Sequence, residues 1–132
     1  MITFDGEFTP KDLDQTLQAM GPDVYFIQIG AMDGVSYDPI HKHVKKQKWK
    51  GLLFEPIPDM FVKLQNNYRD CSGLTFVNAA IADYEGAIEM MCISEAGMQK
   101  AQLTQAALGL SSFLPDRGHL GHNPHYTGAV KE

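Results

Sequence analysis

Val24-Tyr25-Phe26-Ile27-Gln28-Ile29-Gly30-Ala31-Met32-Asp33-Gly34 decides the fold. Its first six residues are almost continuously apolar, β-branched or aromatic, the pattern of a central strand covered on both faces. The last five make a small-residue turn. There Gly30 permits a tight turn and close backbone approach, while Gly34 lets the following chain pass without a Cβ clash. Two more short apolar runs follow, Gly51-Leu52-Leu53-Phe54-Glu55 and Leu74-Thr75-Phe76-Val77. Between them lie two helical patterns. Residues 39–49 turn Ile40 and Val44 inward, and residues 56–68 place Met60, Phe61, Leu64 and Tyr68 on one face.

Strand–helix–strand–helix–strand with short connections implies right-handed crossovers and a parallel sheet. The spatial order is then third, second, first, with the functional edge at the C-terminal strand ends. That edge collects the Gly30–Gly34 turn, Glu55 and the Asn78–Asp83 segment. The fold class is α/β, a Rossmann-like, doubly wound, mostly parallel sheet.

Outside this core, Thr9 is placed to cap a helix over residues 10–20, with Pro10 at its first position and Asp12 in its first turn. Leu13, Leu17 and Met20 form its apolar stripe, and Gly21-Pro22 stops it. Ala87–Ile93 reads as a further strand, and Met98–Leu108 as a helix closed by Gly109. From Ser111 onward the chain reads as loop bearing Gly, Pro and His. The expected organisation is one partial domain over residues 1–132. It comprises an N-terminal helix (1–22), a βαβαβ core (23–93), and a helix and loop (94–132).

The chain has 132 residues, a net charge of −5 and 44% hydrophobic residues. That composition excludes a disordered or collagen-like chain. No apolar stretch reaches the roughly 20 residues that span a bilayer. The acidic N-terminus lacks the pattern of a signal peptide. Two cysteines, Cys71 and Cys92, build no disulfide framework, which points to the cytoplasm. The acidic balance argues against nucleic acid as a partner.

Glu55 follows Gly30 by 25 positions and closes the second strand. An acidic residue there, in nucleotide-binding doubly wound folds, accepts hydrogen bonds from both ribose hydroxyls. Taken singly, the glycines are ordinary loop residues and Glu55 a solvated strand end; at matching strand ends they indicate a nucleoside site. A dinucleotide needs Gly-x-Gly-x-x-Gly around its pyrophosphate. Met32 fills the middle glycine position, so the turn suits a ligand without phosphates. S-adenosyl-L-methionine, an adenosine joined to an amino acid, meets that requirement.

Several stretches together resemble the FkbM-type methyltransferase family. They are Phe26–Gly34, Asp38-Pro39, Trp49-Lys50-Gly51-Leu52-Leu53-Phe54-Glu55-Pro56-Ile57-Pro58, and Asn78-Ala79-Ala80-Ile81-Ala82-Asp83 with Gly86. The resemblance covers roughly residues 24–93 and implies a class I methyltransferase using S-adenosyl-L-methionine. The implied reaction is O-methylation of a sugar or similar small hydroxylated acceptor. It further implies that Gly30, Ala31, Met32 and Asp33 line the amino-acid end of the cofactor and that Glu55 holds the ribose. Pro56 and Ile57 would flank the adenine, with Ala79 and Ala80 near its polar edge. Gln28 stands where many relatives carry aspartate, so the cofactor's ammonium group would meet an amide dipole or water. Met32 stands where asparagine is frequent, removing a polar contact. Relatives continue into a fourth strand with an acidic element near the transferred methyl, so the chain reads as the family's N-terminal portion. An uncovered sheet edge makes self-association an expectation.

No catalytic residue is assigned by the sequence. His119, His122 and His125 lie in a segment broken by Gly121 and Pro124; a surface loop is the simpler reading than a metal site. One of them is a candidate general base toward an acceptor hydroxyl. Lys42, Lys45, Lys46, Lys48 and Lys50 read as a solvated helix face. Ser111 and Ser112 have no histidine–acid pair placed to activate them. Cys71, Cys92 and the Met90-Met91 pair read as packing residues. Two rivals to the methyltransferase stand: a non-catalytic nucleotide-binding or interaction module of the same fold, and a dinucleotide oxidoreductase, which Met32 disfavours.

Overall fold

Thr9 starts the first helix, α1 (Pro10–Ala19), by a reciprocal cap. Its hydroxyl accepts from the Asp12 amide at 3.3 Å, and the Asp12 carboxylate accepts from the Thr9 amide at 2.9 Å. After the stop at Gly21 the chain enters β1 (Tyr25–Ile29), α2 (His41–Gln47), β2 (Lys50–Phe54), α3 (Pro58–Asn67) and β3 (Leu74–Val77). A computed structural model describes residues 9–83, 85–87, 90–92 and 111–112.

The three strands form one parallel sheet in the order β1-β2-β3, the expected topology. Gln28 lies opposite Leu53, and Leu53 opposite Phe76. Parallel neighbours in register share a face, so Phe26, Gln28, Gly51, Leu53, Leu74 and Phe76 all point the same way. Against that face pack Val44 of α2 and Leu64 of α3, joined by Ala31, Trp49 and Tyr68 in the buried core. Each fully buried aliphatic chain there, Val44, Leu53 or Leu64, contributes about 2 kcal/mol by leaving water.

β1 corrects one expectation. Only one of its faces is covered: Tyr25, Ile27 and Ile29 are 66%, 63% and 64% exposed. Two right-handed crossovers running in the same direction place both helices on one side of the sheet. The apolar run was long enough for two covered faces, but the described elements cover only the first.

The end of α2 also moves inward. Lys48 takes a left-handed conformation (φ 54°) and caps α2, donating its amide to the Val44 carbonyl. Trp49 thus leaves the helix and is buried, its indole N–H donating to the Gly21 carbonyl at 2.6 Å. Within the 56–68 stretch α3 begins at Pro58, because proline suits the first helical position and holds the preceding Ile57 extended.

α1 is tied to α2 through Asp14, whose Oδ1 lies 2.7 Å from His43 Nε2 and 2.5 Å from Lys42 Nζ. The Lys42 ammonium, and then His43, hold Asp14 below the usual carboxylate range.

The chain divides into two compact units, Met1–Ile81 and Ala82–Glu132. In the second, β4 (Met91–Cys92) pairs antiparallel with β5 (Ser111–Ser112). Ser111 and Ser112 are therefore strand rather than the start of a loop. A two-residue strand carries no readable alternation, so its period was too short to recognise. The expected helix over Met98–Leu108 and the three histidines His119, His122 and His125 lie outside the described residues. Among the described residues no helix is long and apolar enough to cross a membrane, and no His, Cys, Asp and Glu cluster can hold a metal ion.

Candidate functional site

The site grows from the C-terminal ends of β1 and β2. Both Gly30 and Ala31 donate their amides to the Phe54 carbonyl, each at 3.0 Å, so the turn is pinned to the last residue of β2. Gly30 (φ 73°), Met32 (φ 51°) and Gly34 (φ 72°) all lie in the left-handed region. Met32 is not glycine, so its conformation carries strain of about 1 kcal/mol that the surroundings must hold.

Glu55 holds it. Its Oε2 accepts from the Met32 amide at 2.7 Å and its Oε1 from the Ile57 amide at 2.9 Å. The residue is 3% exposed, so it is a buried strut and not the solvated strand end that Glu55 taken singly allowed. A carboxylate oxygen accepts more than one hydrogen bond, so each retains a lone pair. Asn78, just after β3, donates to the carbonyls of Glu55 (2.7 Å) and Pro56 (3.2 Å). All three strand ends thereby join in one polar network.

Asp33 works within the turn. Its Oδ1 accepts from the amides of Val35 (2.9 Å) and Ser36 (2.7 Å), and its Oδ2 from the Ser36 hydroxyl at 2.6 Å. Asn67, at the end of α3, donates to the Asp33 carbonyl at 2.8 Å. Burial pushes the Asp33 carboxyl up, but the Ser36 hydroxyl, the two amides and the charge of Lys63 outweigh it and leave it below the usual range. Its ionised form therefore stabilises the fold above the unfolded pKa of about 3.9, and that contribution is lost as pH falls through the lower folded value. Asp33→Asn is expected to flatten the decline of melting temperature below pH 4. An unchanged slope would remove Asp33 from the acid transition.

Gln28 faces the helices. Its Nε2 donates to Asp38 Oδ2 at 3.3 Å, while its Oε1 is buried without a hydrogen-bond partner. Ala79 and Ala80, just after β3, are half-buried, as are Pro56 and Ile57. Gly30 and Ala31 differ in environment: Ala31 is core, whereas a Cβ at Gly30 would meet nothing within 4 Å. Of the sequence-derived set, Gly30, Ala31, Met32, Glu55 and Ile57 are joined by hydrogen bonds at one corner, with Asp33 in the same turn. No direct bond links Ala79 or Ala80 to them among the described residues.

Asn67, Asp38 and the Asn78 amide escaped role assignment from sequence. Asp38 carried a usable signal, an Asx residue before a helix, and its Oδ1 indeed accepts from the Ile40 amide two residues on at 2.9 Å. Asn67 carried none, since its partner lies 34 residues away.

A glycine turn after β1 and a carboxylate after β2, on parallel strands with helical crossovers, define a Rossmann-like α/β protein. Residues 28–127 match the methyltransferase FkbM domain. The chain belongs to this methyltransferase family. No curated protein and no solved structure matches it.

Proposed function

We propose that the chain uses S-adenosyl-L-methionine to methylate a hydroxyl of a sugar or similarly small hydroxylated acceptor. The observation that carries this reading is Glu55, buried at the end of β2 and bonded to the turn after β1. Membership of a methyltransferase family supports the chemistry.

Gln28, Gly30, Ala31, Met32 and Asp33 serve the amino-acid end of the cofactor. Glu55 serves the ribose, Pro56 and Ile57 flank the adenine, and Ala79 and Ala80 lie by its polar edge. The residues fit such a group in three respects. The unpartnered Gln28 Oε1 is a ready acceptor for an ammonium N–H. Both Glu55 oxygens keep a lone pair for a hydroxyl. The space beside Gly30 is open. When bound, the cofactor supplies a methyl group activated on a sulfonium sulfur. Met32, with its side chain and strained backbone, gives no glycine cradle for a pyrophosphate. Cys71 and Cys92 are both free thiols, which supports a reducing, cytoplasmic setting.

Titration calorimetry of the chain with S-adenosylhomocysteine tests this reading. One site with a Kd of about 10 μM, near −7 kcal/mol, is expected, and NAD is expected to give no heat. Silence at millimolar S-adenosylhomocysteine, or tighter binding of NAD, would overturn it. Binding without methyl transfer to any hydroxylated acceptor would favour the non-catalytic module.

A further inference from the structure

A cleft of about 550 Å³ opens between α1 and the loop that follows the Gly30–Gly34 turn. That size lies within the roughly 300–1,000 Å³ of small-molecule sites. Pro10 and Leu13 of α1 and Val35 and Pro39 of the loop give it apolar walls.

Its polar lining is balanced in charge. Lys11 and Lys42 are matched by Asp14 and Asp38, and His41 completes the set. Neither aspartate is saturated. Asp14 engages Lys42 and His43 through Oδ1 alone. Asp38 accepts one bond on each oxygen, from Ile40 and Gln28, leaving lone pairs on both. On the donor side, Lys11 makes no ion pair among the described residues. His41 packs its ring against Tyr68 at 4.9 Å and buries an unpartnered Nδ1. An anionic ligand would face two carboxylates here and a cationic one two ammonium groups. A neutral polyol, whose hydroxyls both donate and accept, meets each group with its complement, and its C–H surface suits the apolar walls.

We infer that this cleft binds a neutral pyranose, with its ring against Leu13 and Val35 and its hydroxyls shared between Lys11, Asp14 and Asp38. Asp38 is also the hydrogen-bond partner of Gln28, so the cleft shares a wall with the amino-acid end of the cofactor site. Calling the bound sugar the methyl acceptor rests on the proposed function; the binding itself does not.

Amide NMR titration of the whole chain, with D-glucose, D-glucuronate and S-adenosylhomocysteine added to separate samples, tests the inference. Glucose is expected to shift the amides of Leu13, Val35 and Asp38 with half-saturation at about 10 mM, the weak affinity of a small polar ligand. Val35→Trp, which fills the cleft mouth, should weaken glucose at least tenfold and leave S-adenosylhomocysteine unaffected. Lys11→Ala, an exposed change, should weaken glucose several-fold even if the tryptophan variant misfolds. No shift at these amides, tighter glucuronate than glucose, or unchanged glucose binding in Lys11→Ala would each overturn the inference. S-adenosylhomocysteine binding without glucose binding overturns the sugar cleft alone. Glucose binding without S-adenosylhomocysteine binding upholds the cleft and overturns the cofactor reading.

Discussion

Glu55→Ala is expected to abolish S-adenosylhomocysteine binding and to destabilise the fold by about 3 kcal/mol. The stability term comes from the two amides that Glu55 satisfies, those of Met32 and Ile57. Truncation leaves both without their partner in a site where the side chain was buried, at about 1–3 kcal/mol for each unsatisfied group. For a unit of this size that lowers the melting temperature by about 15 °C. On the proposed function, the binding term comes from the ribose hydroxyls, which would lose a charged acceptor. Glu55→Gln separates the two effects. It keeps one carbonyl acceptor for a backbone amide but turns an NH₂ toward the other, so stability should fall less while binding still falls about 10- to 100-fold. A Glu55→Ala melt superimposable on the parent would remove the strut. Unchanged calorimetric affinity in either variant would remove the ribose contact.

Gly34→Val should cost more than any other single glycine change in the turn, about 4 kcal/mol. A Cβ there would stand 2.6 Å from Leu64 Cδ1 and 2.6 Å from Tyr68 Cε2, and both side chains are buried core. Overpacking contributes about 1–3 kcal/mol and the positive φ of 72° about 1–2 kcal/mol more. Gly30 provides the control, because its φ is 73° but its surroundings are open. Gly30→Ala should therefore show the backbone term alone, about 1 kcal/mol. Urea midpoints of the two variants measure the difference. Equal shifts would mean that Leu64 and Tyr68 yield to the added carbon.

The contrast between these glycines shows where the sequence was readable. Both were seen as turn residues, and Gly34 was read as letting the following chain pass without a Cβ clash. Which atoms approach it depends on Leu64 and Tyr68, 30 and 34 positions along the chain, and no local pattern carries that. Strand order was legible because three short apolar runs alternate with helical patterns, which leaves few topologies. The one-sided cover of β1 was not. A run such as Tyr25-Phe26-Ile27 is apolar at every position, so alternation cannot report which face is filled. At the strand ends, residue types singled out Glu55 as a candidate, but not its burial or its two amide partners. Charge alone left Glu55 ambiguous between ligand contact and solvated end, and the geometry adds a third role, holding Met32 in its strained conformation. Trp49 was misplaced in a helix because a left-handed Lys48 ends α2 where no glycine announces it.

The parallel register has a consequence for how the chain is made. Tyr25 pairs with Lys50, and Gly51 with Leu74, so each ladder joins residues more than 20 positions apart with a whole helix between them. Closing such loops is slow compared with local turns, because chain entropy is lost before any contact repays it. On the ribosome, β1 emerges with no partner until the helix and β2 have followed. Through that interval Tyr25, Ile27 and Ile29 are presented along an unpaired strand, and they stay exposed even after the sheet has closed. The apolar face of β1 is therefore open throughout synthesis, the interval in which unpaired strand edges and exposed apolar surface favour aggregation.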